Sequence, residues 1–192
     1  MRLSLFVLVG LLWLAGAGVS HAQVAAPKTP QARAGADPAL IDLNGYNTIL
    51  AKYRGKPLLV TFWATWCEPC RDEFPMLVAL AEQYKPQGLS VFGVSLDANA
   101  DMHVVRHFLA AFRPGFPNYR QDPQFDADDF YHGVNPKWEG SMPETIFYTR
   151  DGRIAADFTA EQTRQTFEQA IRAILGAHSS RNRTSSSQTA GN

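Results

Sequence analysis

Apolar residues follow two rhythms along the chain, and the two alternate. A short run rich in apolar residues at 58–63 predicts a buried strand, and 89–96, carried by Val91, Phe92 and Val94, predicts the next one. Between them Phe74, Leu77, Val78, Leu80, Ala81 and Tyr84 recur at helical spacing, and Pro86 with Gly88 stops that helix. Ahead of the first run lie a short strand at 40–43 and a modest helical stripe, Tyr46, Ile49, Leu50 and Tyr53, ending at Gly55. After the second run, Val104, Val105, Phe108 and Phe112 predict a helix from Asp101 to the break at Pro114 and Gly115. Residues 118–120 read as a short strand, 125–132 as a helix behind Asp122 and Pro123, and 135–140 as a loop. Strands at 145–148 and 154–158 flank Arg150-Asp151-Gly152-Arg153, where Asp-Gly is a strong hairpin signal. Thr159 and Gln162 fit a capping box for a last helix with apolar face Phe167, Ala170, Ile171, Ile174 and Leu175, ended by Gly176. Strands alternating with helices, then a closing hairpin and helix, predict an α/β fold: a mixed sheet flanked by helices on both faces.

The ends of the chain depart from this pattern. Residues 1–22 carry Arg2, an apolar stretch at 3–14, and small residues Ser20 and Ala22 at the cleavage-determining positions, which is the pattern of a secretory signal peptide. Gly10, Gly16 and Gly18 dilute the stretch as a membrane span, and an uncleaved anchor is the alternative. No cysteine lies near the cleavage site, which excludes a lipid-modified N-terminus. Pro27, Pro30 and Pro38 mark 23–38 as a flexible linker, 39–176 as one domain, and the polar, aperiodic 177–192 as a disordered tail. A chain of 192 residues at 45% hydrophobic suits a single core. Of 18 basic and 18 acidic side chains the signal holds only Arg2, so 17 face 18 afterwards, which gives no footprint for nucleic acid or an anionic membrane.

The two cysteines change the picture most. Cys67 and Cys70 follow the central apolar run as Cys67-Glu68-Pro69-Cys70, in a chain expected to be exported. A disulfide stabilises chiefly by closing a long loop in the unfolded chain, so this spacing makes a poor staple and points to chemistry. Pro69 suits a first helical turn, where its missing N–H has no intrahelical partner, and this places Cys67 at the strand-to-helix junction. Free N–H groups and the dipole there favour a thiolate. Cys67 is expected to attack a substrate disulfide, and Cys70, one turn later and more buried, to resolve the mixed disulfide. Glu68 disfavours the Cys67 thiolate, which makes the pair less oxidising and favours a reductant.

The sequence Trp66-Cys67-Glu68-Pro69-Cys70 after an apolar strand, Glu73-Phe74-Pro75 in the helix behind it, and Met142-Pro143-Glu144-Thr145 opening a later strand resemble the TlpA/ResA/CcmG branch of the thioredoxin superfamily. The likeness covers residues 40–176. It implies a thioredoxin-like fold and a thiol:disulfide oxidoreductase of protein-disulfide reductase type, working in the periplasm in cytochrome c maturation. It further implies that Pro143 is cis and faces the cysteines, that the Met142 backbone pairs with extended substrate, and that Trp66, Glu68 and Pro69 join that contact surface. Thioredoxins proper carry a buried aspartate in the strand before the cysteines, and here Thr61, which cannot titrate, stands there. Glu73 matches a buried glutamate of ResA-like proteins, and helical spacing puts it near the Cys70 face, where it could exchange a proton with Cys70. A solvated helix glutamate is the bland reading. No flavin or nicotinamide fingerprint is present, so no cofactor is expected and the electrons come from a partner, a membrane thiol-transfer protein. The expected substrate is a protein disulfide, apocytochrome c included, and the expected state a monomer.

Other readings compete. Cys67, Cys70, His103 and His107 spell a zinc-like set, but a complete predicted strand intervenes, far beyond finger spacing, so no metal site is expected. His132 and His178 have no supporting constellation. A copper-handling module using the dithiol, with Met142 as a further soft ligand, is the serious rival, although a proline over the pair tends to exclude metal. A peroxide-reducing relative lacks a separate peroxidatic cysteine. Trp63 reads as core, whereas Trp138 suits either a substrate groove or simple packing. The irregular stretch 114–141 is expected to carry specificity.

Overall fold

The computed structural model describes residues 37–176. The predicted signal at 1–22, nearly all of the linker at 23–38, and the tail at 177–192, with His178, lie outside the described residues.

The chain opens with strand β1 (Ala39–Ile41) and helix α1 (Leu43–Lys52). The strand is shorter than the predicted 40–43 because Asp42 caps the helix, its carboxylate accepting the Gly45 N–H at 2.7 Å. Strand β2 (Leu58–Trp63) is buried at every position and runs into α2 (Glu68–Tyr84). A 3-10 turn at Lys85–Gln87 and a left-handed Gly88 end α2, so both predicted stops act there. Strand β3 (Ser90–Ser95) and helix α3 (Met102–Phe112) follow. Helix α3 closes before Pro114 because Arg113 itself takes the left-handed cap, at φ 47°. Val104, expected on its apolar face, is exposed, and Val105 carries the burial.

Strand β4 (Asn118–Gln121) leads to α4 (Ala127–Val134), which starts and ends two residues later than the predicted 125–132. The reason is Asp126, whose carboxylate accepts the Asp129 N–H at 2.9 Å and so begins the helix after Phe125. The hairpin is β5 (Glu144–Tyr148) with β6 (Ile154–Thr159), and the last helix is α5 (Arg164–Gly176). Its cap is Thr163, whose hydroxyl accepts the Thr166 N–H at 3.2 Å, and not the predicted pair Thr159 and Gln162. The Thr159 hydroxyl is turned to Glu144 instead, at 2.5 Å.

The six strands form one sheet in the order β1-β4-β3-β2-β5-β6, parallel from β1 to β2 and antiparallel at β5 and β6. Period-two alternation sends Leu59, Trp63 and Phe147 into a core with α2, α3 and α5. It sends Leu58, Val60, Phe62 and Ile146 to the opposite core with α1 and α4. This is the predicted mixed sheet with helices on both faces. Two covered faces explain why β2 reads as a continuous apolar run. Among the described residues no helix is long and apolar enough to cross a membrane.

Candidate active site

The parallel strands deliver their following loops to one end of the sheet, and β5, antiparallel to β2, begins at that same end. The register Phe62 to Glu144 therefore brings Met142 and Pro143 beside the turn that follows Trp63. In that turn the Cys67 N–H donates to the Ala64 carbonyl at 3.2 Å, and Cys67 then serves as the N-cap of α2. The Cys67 Sγ accepts the Cys70 N–H at 3.3 Å, and Pro69 occupies the first turn, where no intrahelical donor is lost. The two cysteines form a disulfide with Cα atoms 5.3 Å apart. Cys70 is slightly the more buried, at 3% exposed against 6% for Cys67.

Around the pair, Trp66 projects into solvent at 63% exposed and Glu68 is also exposed, while Met142 packs against the core that holds both sulfurs. The Met142–Pro143 bond is cis, and Pro143 is buried. One helical turn beyond Cys70, about 4.5 Å along the axis, Glu73 is buried and not the solvated residue of the bland reading. Burial pushes its carboxyl up to about 7, the Gln162 backbone N–H at 3.0 Å partly offsets this, and Glu161 adds to the rise. Thr61, buried in β2, receives the Thr145 hydroxyl at 3.3 Å, so no titratable group occupies that strand position.

Trp138 belongs to the packing and not to a groove. It is buried, donates its indole N–H to the Ser141 carbonyl at 2.7 Å, and lies with its centroid 4.5 Å from Phe62. Trp63 is core, as expected, donating to Asn118 Oδ1 at 3.1 Å. His103, His107 and His132 are exposed, and no cluster of three or more potential metal ligands occurs among the described residues.

Two buried carboxylates were not singled out by the sequence. Glu144 follows Pro143 and takes hydrogen bonds from Thr159 and, at 3.5 Å, from Asn135 Nδ2; burial raises its carboxyl despite these donors. Asp97 follows β3 and binds the turn before Cys67. The signal for the first was its place in the quoted motif. For the second it was only an acidic residue directly after an apolar strand.

A C-x-x-C disulfide capping the helix after a central strand, with a cis-proline at the start of the neighbouring antiparallel strand, defines a thiol:disulfide oxidoreductase of thioredoxin-like fold. The chain belongs to the AhpC/TSA family, which it matches over residues 30–157. It is 30% identical over 178 residues to the thiol-disulfide oxidoreductase ResA of Geobacillus thermodenitrificans, covering 90% of this chain and 96% of that one. ResA of Bacillus anthracis is 29% identical over 133 residues, 69% of this chain and 72% of the relative. A solved structure from Chlorobium tepidum, described as a thiol:disulfide interchange protein DsbE, shares 30% identity at a TM-score of 0.55, covering 66% of this chain and 85% of that one. The chain is accordingly an enzyme, a thiol-disulfide oxidoreductase of ResA/DsbE type, carrying Cys67 and Cys70 as a disulfide.

Proposed function

We propose that the chain is exported and reduces disulfides of protein substrates in the periplasm, with Cys67 as nucleophile, Cys70 as resolving thiol and Glu73 as proton carrier. The observation that carries this reading is Cys67 as the N-cap of α2, disulfide-bonded to Cys70, one turn ahead of a buried carboxyl near neutrality.

In the reduced enzyme the Cys67 thiolate attacks one sulfur of the substrate disulfide. That S–S bond breaks, the second substrate sulfur leaves as a thiolate and takes a proton, and a mixed disulfide with Cys67 remains. Cys70 gives its proton to the Glu73 carboxylate and attacks Cys67 Sγ. The mixed disulfide breaks, the first substrate sulfur leaves as a thiolate and takes a proton from solvent, Glu73 gives up the proton it took from Cys70, and the enzyme carries the Cys67–Cys70 disulfide. Two electrons have passed to the substrate, and a dithiol partner, a membrane thiol-transfer protein, must restore them.

The exposed Trp66, Glu68 and partly exposed Pro69, with Met142 and Pro143, form the contact surface for an extended peptide, the Met142 backbone pairing with it. A cysteine-containing peptide such as apocytochrome c suits an extended contact of this kind. Glu68 in the first turn opposes the Cys67 thiolate, which supports the reducing direction. Residues 39–176 form the working domain, acting as a monomer, and 1–22 direct export.

Cys67→Ser is expected to abolish turnover of a disulfide substrate, and Cys70→Ser to accumulate a mixed disulfide visible on non-reducing gels. Normal turnover by either variant would defeat the assignment. Equilibration with glutathione tests direction, since a potential as high as about −120 mV would make the pair an oxidant. Tight stoichiometric Cu(I) binding by the reduced chain, without reductase activity, would instead favour a copper carrier.

A further inference from the structure

The segment that carries Cys67 out of the sheet is held by very little backbone pairing. The Leu96 N–H donates to the Trp63 carbonyl at 2.8 Å, and the Cys67 N–H closes the turn onto Ala64. Between these, the Thr65 N–H meets no backbone acceptor. It donates to both carboxylate oxygens of Asp97, at 3.0 and 3.1 Å, and the Thr65 hydroxyl donates to Oδ1 at 2.5 Å. The Ser95 hydroxyl donates to Oδ2 at 2.7 Å, and Asp97 as a whole is 2% exposed.

Asp97 is itself held from behind. The guanidinium of Arg120, on β4 and 5% exposed, donates from Nη1 to the Asp97 carbonyl at 3.2 Å and from Nη2 to Asn99 Oδ1 at 2.8 Å. A continuous polar chain thus runs from β4 through Arg120 and Asp97 to Thr65, two residues before Cys67.

Burying a carboxylate is costly compared with an apolar side chain of similar volume, so filling space does not account for Asp97. Directional hydrogen bonds supply what apolar packing cannot, an angular constraint on the Thr65 peptide. That constraint matters at Cys67, because stabilisation of a thiolate by a helix N-terminus falls away within the first turn.

We propose that Asp97 is a positioning residue for Cys67: its carboxylate, on a loop whose backbone Arg120 holds, fixes the Thr65 peptide and hydroxyl and so sets the Cys67 sulfur in the N-cap of α2. The proposal rests on Cys67 being the nucleophile, and it adds that an element distant in sequence, the β3–α3 loop, determines how reactive that nucleophile is. Asp97 acts through Cys67 and touches no substrate.

The test separates geometry from charge. In the full chain with Cys70→Ser, so that Cys67 alone reacts, iodoacetamide alkylation is followed against pH for Asp97→Asn and Asp97→Ala. Both variants remove the negative charge, but only Asn keeps an acceptor for the Thr65 N–H. Positioning predicts that the Cys67 thiol titrates higher in the Ala variant than in the Asn variant, with alkylation at neutral pH slower by about fivefold or more. Indistinguishable titrations in the two variants would overturn the proposal, since Asp97 would then act as a charge alone. Thr65→Val and Thr65→Ser read the hydroxyl arm of the same clamp, the bond to Asp97 Oδ1, without changing charge, and keep the test decisive if Asp97→Ala does not fold. Val should slow alkylation by about threefold and Ser restore it; equal rates for the two would count against positioning. Turnover by Cys67→Ser would defeat the nucleophile assignment instead, a result separate from these comparisons.

Discussion

Glu73 shows how a single side chain acquires its chemistry from its surroundings. Burial, the leading cause, pushes its carboxyl up from an ordinary 4.5 to about 7 in the fold. Between those values the folded chain holds a proton that the unfolded chain has released, so stability falls as pH rises across that window. Above about 7 the whole cost of burying the carboxylate is present. Glu73→Gln cannot ionise, so its stability relative to the parent should grow from about pH 4.5 to about 7 and then level off, as urea midpoints across that range would show. The same variant should shift the Cys70 thiol titration; an unchanged titration would remove Glu73 from the proton pathway. The position of Glu73 on the Cys70 face was legible from helical spacing. Asp97 was not, because a carboxylate after a strand is ordinarily solvated, and only the approach of Thr65, 32 residues earlier, makes it structural.

At the scale of elements, local chemistry decided boundaries wherever two capping candidates competed. Both Thr159 and Thr163 have a residue able to cap or be capped three positions on, but β6 pairing extends through Thr159 opposite Glu144 and leaves the helix to begin behind Thr163. Thr163→Ala should therefore cost about 1 kcal/mol through the lost cap, measured by denaturant unfolding. The same competition moved α4: Asp126 takes the cap, and the helix then reaches Val134, whose side chain is buried with Phe130. Strand β2 and the start of α2 fell where expected, since a six-residue buried run followed by Cys-x-Pro admits one reading. Trp138 could not be decided from its loop, because an aromatic before a proline suits a groove or a core equally. Its contact with Phe62 across the α4 face settled it as packing.

For the molecule as a whole, the sheet with a core on each face holds the site still, and the disulfide contributes little to that. A loop this short restricts the unfolded chain by about 2 kcal/mol at most in the chain-entropy account. Reduction should accordingly leave a cooperatively folded protein destabilised by no more than about that amount, as paired denaturation curves with and without reductant would show. A collapse of the fold on reduction would mean that the cysteines are scaffolding. What the sequence determined by itself was local: apolar periodicity named the elements and the mixed sheet, and the C-x-x-C with its proline named the chemistry, because both depend on residues within a few positions of one another. Tertiary structure decided what depends on residues far apart. It set Pro143 at the end of β2 through the antiparallel pairing of β5, buried Glu73 under the Gln162 backbone N–H, and closed Asp97 onto Thr65. Burial and hydrogen-bond partners are properties of the assembled fold, so no window of a few residues could reveal them.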